Sequence, residues 1–207
     1  MTKLEIILIG AGGHARACID VIEAQGQYQI AGLIGVVQEL NTQQLGYTVI
    51  ATDDDLPTLI NQYQYALVCI GQIKTADIRR ASYRHLVELG FKLPSIISPR
   101  AYVSPHAVIG AGTIVMHGAV VNAGASVGEN CIVNSNSLIE HDAVIMNHCH
   151  IATGAIVNGH AEVASGSLVG SGSVVKQSIK LGKNCIIGMG LAVRHDVPEN
   201  SQFMGKR

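Results

Sequence analysis

Charged side chains are scarce in this chain of 207 residues: Asp, Glu, Lys and Arg make up 14% of it, and the formal net charge is −1. No cluster of Lys or Arg is present, and there is no tryptophan. Binding to DNA or RNA needs a concentration of positive charge that this composition does not supply. Nucleic acids are therefore not expected as partners.

Long apolar runs are also missing, although 48% of the residues are hydrophobic. None approaches the roughly 18 residues that a membrane-spanning helix requires. The first apolar run is interrupted by Glu5 and passes into a glycine turn rather than a cleavage site, so it predicts a buried strand. Five cysteines without a CxxC spacing favour reduced thiols, and we expect a cytoplasmic protein.

What the sequence has in abundance is a repeat of six residues. All sixteen positions reached by stepping in sixes from Val103 to Val193 are aliphatic. Two residues before each lies a second column of mostly small residues, which starts with Ala101 and Ala107. This pattern predicts a triangular parallel β-helix in which three hexads make one coil and the aliphatic column fills the interior. Gly or Asn often follows the aliphatic position and is expected at the corners.

The same period accounts for three cysteines. Cys131, Cys149 and Cys185 all fall in the small-residue column, at separations of 18 and 36 residues. They are predicted to stack along one face as packing residues. A metal site formed by His148, Cys149 and His150 is the minor alternative.

The first 95 residues alternate strands with helices and predict a small Rossmann-like parallel α/β sheet. Prolines at 94, 99 and 105 mark the entry to the coils, so the sequence divides into domains 1–95 and 96–207. The predicted elements are strand Leu4–Ile9, helix His14–Ala24, strand Ile30–Ile34, helix Asp53–Asn61, strand Tyr65–Ile70 and helix Ala76–Leu89.

A glycine turn, Gly10-Ala11-Gly12-Gly13-His14-Ala15, follows the first strand and opens the first helix. In this position glycines let backbone amides approach a phosphate group, although a purely structural tight turn is the alternative. NAD is disfavoured, because the second strand ends in Gly35 and Val36 without an acidic residue for the ribose. Gly71, at the end of another strand, is expected to line the same crevice.

The densest polar cluster of the coils runs from Asn134 to Asp142. His141 and Asp142 are predicted at a corner, where a neutral imidazole can take a proton from an attacking amine or hydroxyl and an adjacent carboxylate can fix its tautomer. Gly159 lies one coil onward, with a backbone that could approach a thioester. Five other histidines are predicted to be ordinary surface residues, namely His106, His117, His148, His160 and His195.

The hexapeptide coils, the strand carrying GAGGHA and the segment from Asn134 to Asp142 together resemble bacterial sugar acyltransferases of the PglD/NeuD type. The resemblance covers essentially the whole chain. It implies a left-handed β-helix, acetyl-CoA as co-substrate, no metal, and a homotrimer with active sites between protomers.

The resemblance also implies roles for individual residues. It assigns the catalytic base to His141 and its partner carboxylate to Asp142, with Asn134 in a supporting role. It assigns sugar-nucleotide binding to Gly12, Gly13, His14 and Gly71. It assigns acetyl-CoA binding to His150, Ser171 and Met189, and Gly159 joins this predicted group through its spacing of one coil from His141.

We therefore expect acetyl transfer from acetyl-CoA to the 4-amino group of a nucleotide-linked 4-amino-4,6-dideoxy sugar, in a surface-glycan pathway of the UDP-N-acetylbacillosamine type. O-acetylation of a sialic-acid-like sugar and a non-catalytic trimeric scaffold are the alternatives. Nucleotidyl transfer is weaker still, because the glycine turn lacks the extended basic loop which that chemistry needs.

Overall fold

The computed structural model describes residues 3–205. It consists of an N-terminal α/β region and a stack of short parallel strands. The N-terminal elements are β1 (Leu4–Ile9), α1 (Gly13–Gln25), β2 (Tyr28–Gly35), β3 (Gln43–Gln44), β4 (Tyr47–Thr52), α2 (Leu56–Leu59), β5 (Tyr65–Val68) and α3 (Asp77–Leu89), with short 3-10 helices at Val37–Glu39 and Asp53–Asp55. Within the described residues, no helix is long and apolar enough to span a bilayer.

The N-terminal sheet has the strand order β3-β4-β2-β1-β5, and β4, β2, β1 and β5 run parallel. Residues 6–9 of β1 and 32–34 of β2 are buried, because helices and coils cover both faces of the sheet there. The predicted parallel sheet is confirmed. It also has an edge that the sequence did not predict, the antiparallel hairpin of β3 and β4.

The predicted helices are present with altered ends. The first begins at Gly13 and ends at a left-handed Gly26, a conformation that glycine adopts without steric cost. The helix predicted over Asp53–Asn61 is shorter than expected. It consists of the 3-10 helix Asp53–Asp55 and the single α-helical turn of α2, which has Pro57 in its first turn. The last helix begins at Asp77, one residue later than predicted.

The coils form three parallel sheets, one for each face of a triangular prism. Strands stack on partners 18 residues away, so three hexads make one coil as predicted. The strands are β6 (Ile96–Ile97), β7 (Tyr102–Val103), β8 (Val108–Ile109), β9 (Ile114–Val115), β10 (Val120–Val121), β11 (Ser126–Val127), β12 (Ile132–Val133), β13 (Leu138–Ile139), β14 (Val144–Ile145), β15 (His150–Ile151), β16 (Ile156–Val157), β17 (Glu162–Val163), β18 (Leu168–Val169), β19 (Val174–Val175), β20 (Lys180–Leu181), β21 (Ile186–Ile187), β22 (Ala192–Val193) and β23 (Gln202–Phe203).

We name the three faces by what they present. The docked face (β6, β9, β12, β15, β18, β21, β23) lies against the N-terminal region. The apolar face (β7, β10, β13, β16, β19, β22) and the third face (β8, β11, β14, β17, β20) complete the prism. The first coil strand, β6, begins at Ile96, next to the predicted boundary at residue 95.

The interior of the prism is filled by the two predicted columns. From Val115 to Val193 the aliphatic column is buried at every step, and each such side chain contributes roughly 1.5–3 kcal/mol through burial. The predicted corner geometry was off by two residues. The left-handed backbone recurs three residues after each aliphatic position, from Gly112 to Gly190, whereas a glycine directly after it, such as Gly110, allows close approach of the next coil.

All five cysteines are free and buried. Cys131 and Cys149 stack as predicted, since the Cys149 backbone N–H lies 3.4 Å from the Cys131 sulfur. The alternative metal site is wrong: Cys149 points its sulfur into the prism towards the carbonyl of Ala164, whereas His148 and His150 point outward to separate partners.

The N-terminal region is held on the coils by polar contacts, one buried and one at the surface. Arg79 of α3 is 1% exposed and donates to the carbonyls of Val68 and Ile70 and to the side chain of Asn130, 2.8 Å away. Between β9 and β10, His117 connects the coils to α1, with its Nε2 2.8 Å from Oδ2 of Asp20. The surface role predicted for His117 is therefore wrong. His148 is likewise half-buried, packed edge-on against Tyr83.

Candidate active site

The corner predicted to be catalytic, which we call the catalytic corner, joins the apolar face to the third face. It comprises residues 140–143 with their equivalents 122–125 and 158–161 on neighbouring coils. His141 and Asp142 lie there, outside the filled interior, with side chains 58% and 50% exposed. His141 Nδ1 is 2.9 Å from Asp142 Oδ2. The aspartate therefore reaches the imidazole despite having one methylene fewer than glutamate.

The backbone explains how neighbouring side chains can meet in this way. Asp142 occupies the left-handed position of its corner, with φ of 58°, which turns its carboxylate back over the preceding residue. Its hydrogen bond from His141 lowers the pKa of the Asp142 carboxyl, and the nearby His160 adds to this effect. The carboxylate is thus ionised at neutral pH and fixes the proton of a neutral His141 on Nδ1, which leaves a lone pair on Nε2.

The next coil closes over the histidine. A Cβ at Gly159 would stand 2.8 Å from both Cε1 and Nε2 of His141, so only glycine leaves room for the ring in this position. His160 is also on this coil, with Nε2 3.7 Å from Asp142 Oδ2 and its ring perpendicular to that of His141. Nε2 of His141 therefore faces the backbone of the next coil at Gly159.

Glu140 stabilises the backbone of the same corner through two hydrogen bonds. Its Oε2 accepts from the backbone N–H of His141 at 3.2 Å and from the side chain of Asn122 at 3.0 Å. Asn122 lies one coil before Glu140. These bonds fix the backbone that carries the His141–Asp142 pair.

The predicted sugar-nucleotide residues come together on the opposite side of the prism. Gly12 caps α1 and Gly13 begins it, and both are exposed, with open space where side chains would stand. Gly71 packs against His14, because a Cβ at Gly71 would be 3.5 Å from that of His14. The helix N-terminus, the glycines and His14 form one surface that is open to an anionic ligand.

His150 connects this surface to the coils. Its Nδ1 donates to the carbonyl of Gln72 at 2.8 Å, and its Nε2 accepts from Asn134 at 3.1 Å. Burial lowers the pKa of His150 to about 4. Asn134, for which a supporting role is predicted, thus holds His150 in place, and that role stays a prediction. The acetyl-CoA contact of His150 stays a prediction, since both ring nitrogens already have partners.

Ser171 and Met189 lie on a different corner from His141. They are exposed on adjacent coils of the second corner, which joins the docked face to the apolar face and comprises 134–137, 152–155, 170–173 and 188–191. Met189 is 77% exposed, an unusual degree for a large apolar side chain. Their predicted contact with acetyl-CoA is untested.

Comparison with known proteins identifies the family of both domains. Residues 5–85 match the PglD N-terminal domain, and residues 106–141 match the bacterial transferase hexapeptide family of six repeats. The acetyltransferase domain of PglB from Neisseria gonorrhoeae FA1090, in complex with acetyl coenzyme A, is 31% identical over 97% of this chain and 96% of that chain, with a TM-score of 0.89. The chain belongs to the PglD-type hexapeptide acetyltransferases.

Two other solved structures extend the comparison of this PglD-type chain. The H141N mutant (in that protein's numbering) of perosamine N-acetyltransferase from Caulobacter crescentus, in complex with CoA and GDP-perosamine, is 29% identical over 97% of this chain and 93% of that one, with a TM-score of 0.92. WeeI from Acinetobacter baumannii AYE, at 21% identity, 99% and 97% coverage and a TM-score of 0.85, shares the fold. No curated protein matches the chain. The fold is the left-handed β-helix that the resemblance implied.

In this PglD-type chain the predicted site residues divide into two groups. His141, Asp142 and Gly159 meet at the catalytic corner. The others lie in the N-terminal region, on the docked face and at the second corner. The two corners are separated by the apolar face, six residues or roughly 20 Å of extended chain.

Sequence reasoning about this PglD-type chain missed His160, which it treated as an ordinary surface residue. A signal was available, because His160 lies 18 residues from Asp142 at the same position of the next coil. Gln72 and Arg79 gave no such signal, since only the docking of the two domains buries them.

Proposed function

We propose that this chain transfers the acetyl group of acetyl-CoA to the 4-amino group of a nucleotide-linked 4-amino-4,6-dideoxy sugar, in the cytoplasm and for a surface glycan. The observation that carries the proposal is the His141–Asp142 pair against Gly159. Over nearly its full length, the chain that carries this pair is similar to solved structures in complex with acetyl coenzyme A, or with CoA and GDP-perosamine.

The chemistry needs one base and no acyl-enzyme. The amine nitrogen attacks the thioester carbonyl, and Nε2 of His141 takes the proton that the nitrogen loses. Asp142 holds Nδ1–H and stabilises the imidazolium that results. When the C–S bond breaks, the CoA thiolate leaves and takes that proton from His141.

A backbone amide of the catalytic corner completes the site. The N–H of Gly159 donates to no backbone carbonyl among residues 3–205, whereas the flanking N–H groups of Asn158 and His160 are both used. A free N–H beside the base is suited to stabilise the oxyanion of the tetrahedral intermediate.

The division of the site into two groups supports a trimer. Because the catalytic corner and the second corner flank one face, three copies that turn this face towards a threefold axis bring the catalytic corner of each against the second corner of the next. Such a head-to-tail contact closes into a ring. Each active site would then combine His141 of one protomer with the ligand-binding side of its neighbour.

The outward residues of the faces favour the same arrangement. Those of the apolar face lack charge along its whole length, whereas the third face carries the ion pair of Glu162 and Lys180. Outward residues of the apolar face are Tyr102, Val120, Leu138, Ile156, Val174 and Ala192. Contiguous apolar surface of this kind is typical of an interface.

Substrate choice is tested by thiol release from acetyl-CoA in the presence of different acceptors. GDP- and UDP-linked 4-amino sugars are offered beside free and CMP-linked sialic acids. The proposal expects release with a nucleotide-linked amino sugar. Thiol release with sialic acids alone would indicate O-acetylation instead of N-acetylation. Absence of CoA binding would indicate a non-catalytic scaffold.

The base is tested by His141→Ala, which should lower kcat by about 10³-fold because it removes Nε2, the atom that takes the proton from the amine. The oligomer mass and acetyl-CoA binding should persist. His106→Ala is the matched control, since His106 is exposed two coils before Asp142 on the same corner. Near-normal turnover of His141→Ala would refute the assignment.

Formation of the site between protomers is tested by mixing two inactive variants. His141→Ala damages the catalytic corner and His14→Ala damages the ligand-binding side. In randomly mixed trimers about a quarter of the sites combine two intact halves, so activity should return. If each site lay within one protomer, the mixture would stay inactive.

A further inference from the structure

Three metal-ligating side chains converge at the catalytic corner. His141 Nδ1 lies 2.9 Å and His160 Nε2 lies 3.7 Å from the same oxygen, Asp142 Oδ2. One ligand atom from each residue lies within 4.8 Å of the others, and all three side chains are at least half exposed. No other group of three such ligands is found among residues 3–205.

The type and spacing of these ligands select the cation. Two imidazole nitrogens and one carboxylate suit Zn²⁺ and other first-row transition ions, whereas Mg²⁺ and Ca²⁺ prefer oxygen ligands alone. Tetrahedral zinc with bonds near 2.0–2.2 Å places its ligand atoms roughly 3.3 Å apart. The two separations from Asp142 Oδ2, 2.9 and 3.7 Å, lie on either side of that value, and one ligand atom of each residue lies within 4.8 Å of the others, so side-chain rotations would close the remaining distance.

The frame of this trio is rigid although the side chains are exposed. Asp142 and His160 occupy equivalent left-handed positions on successive coils, with φ of 58° and 57°. The backbone N–H of His160 also donates to the carbonyl of His141 at 3.2 Å. Backbone hydrogen bonding between coils therefore fixes the relative positions of the three residues.

We propose that His141, Asp142 and His160 form an inhibitory site for Zn²⁺, which binds in competition with the acetyl-transfer reaction. The inhibition rests on the proposed function, whereas the binding of zinc does not. The reaction itself needs no metal. Solvent and substrates must reach His141 for catalysis, so a hydrated cation can reach it as well.

The inhibition follows from the single proton of a neutral imidazole. Without zinc, that proton is on Nδ1 and is held by Asp142, while Nε2 offers the lone pair that accepts a proton from the amine. Zinc coordinated by Nδ1 needs the lone pair there, so the proton moves to Nε2. The total number of protons is unchanged, but the base is lost.

His160 separates zinc binding from catalysis, because it neither takes nor gives a proton in the acetyl-transfer mechanism above. His160→Asn removes one ligand and keeps a residue that tolerates the left-handed backbone. His106→Asn is the control: it changes an exposed histidine of the same column, with Gly124 between it and Asp142.

The test is a titration of the intact protein with Zn²⁺ and with Co²⁺. The parent protein and His106→Asn should bind one zinc per chain with equal Kd, and His160→Asn should bind at least tenfold more weakly. Bound Co²⁺ should give visible absorption in the first two proteins and lose it in the third. Equal zinc affinity in all three would overturn the proposal.

Inhibition is measured separately, with each rate normalised to the zinc-free rate of the same variant. The zinc concentration for half inhibition should rise at least tenfold in His160→Asn and stay constant in His106→Asn. Zinc binding without inhibition would overturn the inhibitory role. If no acceptor supports acetyl transfer, the proposed function fails, and the metal titration still decides the binding site.

Discussion

The catalytic corner and the docked face are built by different kinds of contact. At the catalytic corner, Asp142 meets His141 and His160, which are 1 and 18 residues away in sequence. On the docked face, Arg79 meets Asn130 and His150 meets Gln72, across 51 and 78 residues. The repeat alone therefore assembles the proposed catalytic groups, while the proposed ligand-binding side depends on how the N-terminal domain packs against the coils.

The two regions also differ in burial, and this separates the expected effects of mutation. The groups of the catalytic corner are half exposed, so their loss removes chemistry and little packing. Arg79 and Gln72 are almost completely buried, so their loss leaves polar partners without hydrogen bonds. Changes at the corner should alter rates, and changes on the docked face should alter stability.

Arg79→Met should give the largest change in stability. It leaves the carbonyls of Val68 and Ile70 and the side chain of Asn130 without their donor, which costs about 3 kcal/mol of unfolding free energy. Denaturant unfolding measures the loss. The matched control is Arg80→Met, because Arg80 is more exposed and its bond to Asn184 is worth at most about 1 kcal/mol. Equal losses in the two variants would contradict the difference between the two regions.

The same difference decides what the sequence could predict. The hexad register identified the buried column and placed His141 and Asp142 on a corner, because a strict repeat converts position in sequence into position in space. Arg79 could not be found in this way. In the sequence it is one of two adjacent arginines on a helix, and only the docking of α3 on the coils separates their environments.

The hairpin of β3 and β4 escaped prediction for a related reason. Its first strand is only Gln43–Gln44, and its second, Tyr47–Thr52, pairs with β2 through a bulge. Neither has a long alternation of apolar and polar residues. His160 was missed although the repeat did carry the signal, because its role appears only when the residue 18 positions earlier is considered.

Gly159→Ala tests whether the neighbouring coil positions the base. The new Cβ would stand 2.8 Å from the ring of His141 and push Nε2 aside, which should lower kcat by roughly 30-fold. The backbone of Gly159 is not left-handed, so the unfolding free energy should change by less than about 0.5 kcal/mol. Gln177→Ala, one coil onward in the same column, should leave kcat unchanged. A fall in stability as large as the fall in rate would count against a positioning effect.

The pH dependence of stability tests the docked face at a single residue. Burial holds the pKa of His150 at about 4, below the value near 6.5 of an unfolded histidine. Above pH 6.5 both states are neutral and the site contributes its full stability. Between pH 6.5 and 4 only the unfolded chain takes up the proton, so His150 costs about 1.4 kcal/mol of stability for each pH unit of acidification. In the neutral ring, Nε2 of His150 accepts a hydrogen bond from the side-chain amide of Asn134. Protonation would place a second N–H at Nε2, so two donors would face each other.

This contribution is isolated by comparing the parent protein with His150→Gln over the same pH range. The variant has no titrating group at this position, so its loss of stability on acidification should be smaller by about 1.4 kcal/mol for each pH unit. His106→Gln changes an exposed histidine and should follow the parent curve. If the stability of His150→Gln followed the parent curve as well, protonation of His150 would not be coupled to unfolding. The hydrogen bonds of His150 to Gln72 and Asn134 would then not stabilise the docked domain.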